Sequence, residues 1–141
     1  MAVPLEDAEG EAFALRLRQW MLEESDDSPG ILEFSHVANE TGVRSKRVQV
    51  RKNKQGMRRG VPDYVLVIQR AEKDGDGKLM RSLVWIELKR RKGPKGGSPS
   101  EISPEQEKWV RLLNSVPNVA AHFAFGHEEA AKIIETYIFT E

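Results

Sequence analysis

The sequence predicts an α/β fold, a central mixed sheet of about four strands flanked by helices. Three observations carry that expectation. Helical periodicity occurs near both ends of the chain and once between strands, giving the order helix, three strands, helix, strand, helix. The second and third strands are apolar and joined by a short connection with Asp-Gly at its tip, which makes them an antiparallel hairpin. The length of 141 residues suits one domain, 1–141, large enough to bury a core and too small for two ordinary ones.

The elements follow in chain order. Residues 9–24 read as a helix, because Phe13, Leu17, Trp20 and Met21 form one apolar stripe, and SDDSPG ends it with turn chemistry. ILEFSHVAN alternates as a short strand, with Leu32, Phe34 and His36 on one face and Ile31, Glu33 and Ser35 on the other. Residues 40–60 are polar, basic and contain three glycines, as a loop or irregular arm would be. YVLVIQR (64–70) and SLVWIELK (82–89) are the hairpin strands, with AEKDGDGKLMR between them. RRKGPKGGSPSEI, rich in glycine, proline and serine, is a connecting segment. SPEQEKWVRLL opens a helix with Ser103 as N-cap, Pro104 at its first position and Gln106 completing a capping box. VAAHFAFG (119–126) is a strand and HEEAAKIIETYIF the last helix. There are no internal repeats.

The chain has no cysteine, so disulfides, zinc-thiolate sites and thiol nucleophiles are excluded. MAVPLEDAEGEAF is acidic and lacks the apolar core of a secretory signal, and no apolar run is long enough to span a bilayer. These features fit a reducing compartment without a membrane partner. The net charge of +0 hides an asymmetry: residues 1–33 carry nine acids and two bases. Residues 44–59 carry eight bases and no acid: Arg44, Lys46, Arg47, Arg51, Lys52, Lys54, Arg58 and Arg59. Lys89, Arg90, Arg91, Lys92 and Lys95 form a second block without acids. Two unbalanced basic blocks in a neutral chain suggest a localised anionic partner, nucleic acid first, although a solvated face has the same composition.

The chemistry centres on VWIELKRRK. Residues two apart in a strand share a face, so Glu87 and Lys89 project together while Val84, Ile86 and Leu88 face the core. Asp63, in GVPDYVLVI, stands at the start of the other hairpin strand and should meet them. Two carboxylates and an ammonium at one point are expensive unless something uses them. Oxygen ligands of this kind suit a hard divalent cation such as Mg²⁺, and a lysine beside it can position a water for attack on a phosphodiester.

Asp63, then Glu87-Leu88-Lys89, resembles the PD-(D/E)xK nuclease pattern. With its surroundings, GMRRGVPDYVLV, WIELKRRKG and SPEQEKWVRLL, the chain resembles the virus-type replication–repair nuclease (VRR-NUC) domain from about Glu11 to Tyr137. It looks like the stand-alone members carried by phages and bacteria, which implies the cytoplasm of a bacterial or phage-infected cell. The resemblance implies a restriction-endonuclease-like core and cleavage of DNA with magnesium or manganese (Mg²⁺ or Mn²⁺). It also implies a homodimer acting on branched DNA, Holliday junctions included. It makes Asp63, Glu87 and the Leu88 carbonyl metal ligands, and gives the attacking water to Lys89. Glu11 becomes a further acid at the metal, directly or through water, and Gln106 a helix residue reaching back to the lysine or the substrate.

Other readings of the same residues stay open. Asp63 suits a turn after proline, and Glu87 and Lys89 suit a cross-strand charged surface. Glu11 is favoured in a first helical turn whatever its function, and Glu9 could replace it. Gln106 is also the capping-box residue. Residues 36–52 compare with a helix-turn-helix, which would make a non-catalytic DNA binder; such a motif leaves Asp63, Glu87 and Lys89 unexplained. DGDGK is turn chemistry, because the last ligand position of a calcium loop begun at Asp74 falls on Trp85. His36, His122 and His127 have no ligand spacing among them.

Overall fold

The computed structural model describes residues 6–37, 55–56, 58–90 and 101–140. Seven elements follow one another: α1 (Glu6–Arg18), β1 (Gly30–His36), β2 (Tyr64–Lys73), β3 (Leu79–Lys89), α2 (Pro104–Leu113), β4 (Val119–Phe125) and α3 (His127–Phe139). The strands form one mixed sheet in the order β1-β2-β3-β4. The first two pairings are antiparallel and β3–β4 is parallel, joined through the crossover helix α2 as a parallel pair requires. The α/β architecture expected from the pattern is the one observed.

The two faces of the sheet are covered differently. Leu66, Ile68, Val84 and Ile86 are fully buried against Phe13 and Leu17 of α1 and Ile134 and Ile138 of α3. The ring of Tyr64 meets Phe13 edge-on at 5.1 Å. Helix α2 lies on the other face, where it touches β4. Asn114 ties its C-terminus to that strand, donating to the Ala121 carbonyl at 3.0 Å and accepting from Ala121 N at 2.8 Å. Helix α3 starts at Gly126, whose φ of 94° marks a sharp turn and which has no side-chain cap of its own. Glu9 of α1 replaces the missing cap, accepting from His127 N at 2.6 Å and lying 3.2 Å from His127 Nδ1. A buried carboxylate there also complements the helix dipole.

Two local expectations are corrected. Helix α1 ends at Arg18 rather than Glu24. Beyond it Gln19 and Trp20 turn, and Met21 bridges Ile31 of β1: Ile31 N donates to Trp20 O at 2.9 Å and Leu22 N to Ile31 O at 2.8 Å. Sheet pairing therefore takes Trp20 and Met21 out of the helix. In β1 the alternation is broken by a bulge between Ile31 and Glu33. Ile31 pairs with Ile68 and Phe34 with Leu66, so both point to the core face despite their odd spacing.

The hairpin is longer than expected, and its tip behaves as turn chemistry. Asp74 Oδ1 accepts from Asp76 N at 2.8 Å and Lys78 N at 3.0 Å, and Gly77 takes the φ of +81° that closes the turn.

Candidate active site

Register brings the first two site residues together. The β2–β3 pairing ends at Tyr64↔Ile86, so the next position sets Asp63 opposite Glu87. Pro62 is buried and holds the strand entry, and Asp63 Oδ2 accepts a hydrogen bond from Leu88 N at 3.1 Å. A strand residue presents its N–H and C=O to the same edge, so the Leu88 carbonyl faces the side on which Asp63 lies.

Glu87 and Lys89 are more enclosed than an ordinary amphipathic strand would leave them, at 4% and 5% exposure. Their face is roofed by α2. Lys89 Nζ donates to Gln106 Oε1 at 2.8 Å and to the Glu101 carbonyl at 3.0 Å, and lies 3.5 Å from Glu87 Oε2. Gln106 Nε2 in turn donates to Glu87 Oε2 at 3.2 Å. One amide thus bridges the carboxylate and the ammonium, and this bonding offsets part of the desolvation cost of a buried pair.

Gln106 both touches Lys89 and belongs to the capping box. Its Oε1 also accepts from Ser103 N at 3.0 Å, while its own N–H donates to Ser103 Oγ at 3.2 Å. The capping box starts the helix and fixes the amide that touches Lys89.

Asp63, Glu87, Leu88, Lys89 and Gln106 line one open cleft of about 910 Å³. A larger cavity of about 1110 Å³ lies at the hairpin-tip end of the sheet, away from these residues. Glu11 lines the site cleft as an exposed residue at its rim. Among the described residues, no three His, Cys, Asp or Glu side chains are grouped closely enough to hold a metal. The carboxylates of Asp63 and Glu87 with the Leu88 carbonyl are nevertheless an all-oxygen donor set, the chemistry of a hard cation that keeps several waters. Glu9, the other acid considered in α1, is committed to the α3 N-terminus.

Arg18, not singled out in the sequence, and His36, set aside there for lack of ligand spacing, also line the cleft. A basic residue in the last turn of a helix is favoured by the dipole anyway, which hides Arg18 from a reading of composition. His36 lies against Tyr64 with ring centroids 4.9 Å apart. Elsewhere, His122 meets the Tyr137 hydroxyl at 2.6 Å, and burial lowers its pKa from 6.5.

Of the basic blocks, Arg58, Arg59, Lys89 and Arg90 are described. Arg44, Lys46, Arg47, Arg51, Lys52, Lys54, Arg91, Lys92 and Lys95 lie outside the described residues, as does the helix-turn-helix comparison beyond Val37. His36 ends β1, so that segment opens as a strand.

Comparison with solved structures gives a match to a VRR_NUC domain protein, with a TM-score of 0.63 over 98% of this chain and 91% of that one. The fold is that of a VRR_NUC domain protein. Sequence identity to it is 18%, so the likeness is one of backbone architecture. No family model and no curated protein matches the sequence. In this VRR_NUC-like fold the cleft sits at the end of the central hairpin, between α1 and α2. No helix among the described residues is long and apolar enough to cross a membrane.

Proposed function

We propose that the chain is a metal-dependent DNA endonuclease of the VRR-NUC type, hydrolysing phosphodiester bonds in this cleft. One observation carries the reading: Asp63, Glu87, Lys89 and Gln106, from three separate segments, meet at one hairpin end with two carboxylates facing an open cleft. Asp63, Glu87 and the Leu88 carbonyl would hold Mg²⁺ or Mn²⁺, with Glu11 at the rim contributing through water. The bound cation supplies Lewis-acid polarisation of the phosphate.

The chain's own residues do the rest. Lys89 has two short hydrogen bonds that fix its ammonium and a third, 3.5 Å contact to Glu87 that is long enough to yield to a water. That donor orients the attacking water, and Gln106 keeps the lysine from swinging away. Attack on phosphorus passes the water's proton to solvent and expels the sugar oxygen, which takes a proton from solvent in turn, so the step balances as hydrolysis. Arg18, on the cleft lining, would hold the strand being cut, and the basic blocks would track its backbone. We also propose a two-fold dimer, which would present two such clefts to a symmetric four-way junction and so suit branched DNA.

A panel of labelled junction, flap, single-strand and duplex DNAs, incubated with Mg²⁺, Mn²⁺ or EDTA, tests the reading. Cleavage with either metal, abolished by EDTA and strongest on a branched substrate, is the expected result. Absence of cleavage under every condition would remove the enzyme assignment.

A further inference from the structure

Helix α2 has a second working face. Glu105, Lys108, Trp109 and Leu112 follow at i, i+3, i+4 and i+7, so they share a side of the helix, while Gln106 turns toward Glu87 and Lys89. Together with Arg58 and Arg59 they line an open cavity of about 560 Å³. The segment carrying the two arginines is pressed on the helix: Gly60 has a φ of +88°, and a Cβ there would lie 2.6 Å from the Glu105 backbone carbon. Trp109 Nε1 donates to the Arg59 carbonyl at 3.0 Å, which fixes the plane of the indole. Leu112 beside it is 50% exposed.

We propose that this cavity is a subsite for one unpaired nucleotide of the DNA substrate, its base stacked on Trp109 and Leu112 and its phosphates held by Arg58, Arg59 and Lys108. The inference rests on the nuclease reading and extends it. Three cationic side chains against one acid, Glu105, favour an anionic occupant. A bare phosphate would leave the indole and the leucine without a use. A paired base has both faces covered by its neighbours, so only an unstacked base can enter. Asp63 lies four positions after Arg59, a reach of at most roughly 14 Å, so a strand seated here passes the catalytic cleft within a few nucleotides. Selectivity for branched or frayed DNA then comes from the same helix that positions Lys89.

The test uses the intact protein in EDTA with two DNAs of one sequence. In one a 2-aminopurine is paired inside a blunt duplex; in the other it is unpaired in a short overhang. Binding should lower the fluorescence of the unpaired probe. Trp109→Ala should remove that change and reduce the preference for the overhang probe by about 10-fold. Trp109→Phe, which keeps a ring and loses the bond to Arg59, should retain most of it, as should Lys89→Ala. Should Trp109→Ala fail to fold, Leu112→Glu places a carboxylate on the exposed floor and is expected to weaken the overhang probe selectively. An unpaired probe whose signal does not change, or changes equally in Trp109→Ala or Leu112→Glu, overturns the subsite. A signal from a protein that never cuts DNA would leave the subsite standing and remove the nuclease reading.

Discussion

Lys89 and Glu87 form a pair that a folding chain would not bury for stability alone. Removing one partner of a buried pair leaves the other charge poorly compensated, at a cost of about 3 kcal/mol. Gln106 Nε2 still donates to Glu87 when the lysine is gone, so the fold should survive Lys89→Ala. Cleavage should not: loss of the group that orients the water is expected to lower turnover by about 10²–10⁴-fold. Binding of DNA measured in EDTA should stay close to wild type, and a mutant that cuts at the parental rate removes Lys89 from the mechanism. Asp63→Asn separates charge from structure, since the amide oxygen can still accept from Leu88 N. Calorimetric titration with Mn²⁺ should show at least about tenfold weaker binding; an unchanged isotherm would exclude Asp63 as a ligand.

At the scale of elements, α2 is the piece whose geometry decides the site. Its N-cap and its site residue share one oxygen, because Gln106 Oε1 receives both Ser103 N and Lys89 Nζ. Ser103→Ala should cost about 1 kcal/mol by loss of the cap. It should also lower kcat by more than so small a destabilisation explains: alanine keeps the N–H that reaches Gln106 Oε1, but loss of the bond from Gln106 N to Ser103 Oγ loosens the turn that carries the amide. Urea midpoints and turnover measured together decide it, and a fall in stability with unchanged kcat would make Ser103 a cap and nothing else. The packing of α3 on the sheet gives a pH signature. Burial holds His122 below its usual 6.5, so the folded state resists its protonation. The Arg70 guanidinium over the Tyr137 ring adds positive charge close to the same cluster. The His122–Tyr137 contribution is therefore complete above pH 6.5 and is lost as the pH falls through the lower folded value. The urea midpoint should drop below pH 6.5 in the parent, and that component should vanish in His122→Gln. The boundaries of elements were less legible than their identity. The apolar stripe through Trp20 and Met21 fits a helix until β1 is present to hydrogen-bond that stretch, and the bulge after Ile31 is set by pairing with β2. Ser103-Pro104 with Gln106 was legible because a capping box is local.

At the scale of the whole molecule, local periods plus one hairpin suffice to bring Asp63 to Glu87, which is why that convergence was readable in advance. The burial of Glu87 and Lys89 was not, because it depends on α2 returning over the sheet after β3. Nor was the place of Arg58 and Arg59, which only the docking of Gly60 on α2 reveals. These two arginines carry the test of how the molecule holds DNA. If they contact phosphates, each releases condensed counterions when DNA binds, and the double variant Arg58→Ala/Arg59→Ala should lower the slope of log K against log salt by about 2. The loss of affinity should be nearly equal for unrelated sequences, since phosphate contacts position a duplex without reading it. Trp109 stays anchored in that variant, because its partner is the Arg59 carbonyl rather than the guanidinium. Binding isotherms at several salt concentrations, on two sequences of equal length and structure, measure both quantities. A slope unchanged within error would place the arginines away from the backbone. A loss confined to one sequence would mean that they read bases, and shape selectivity would then have to come from elsewhere on the surface.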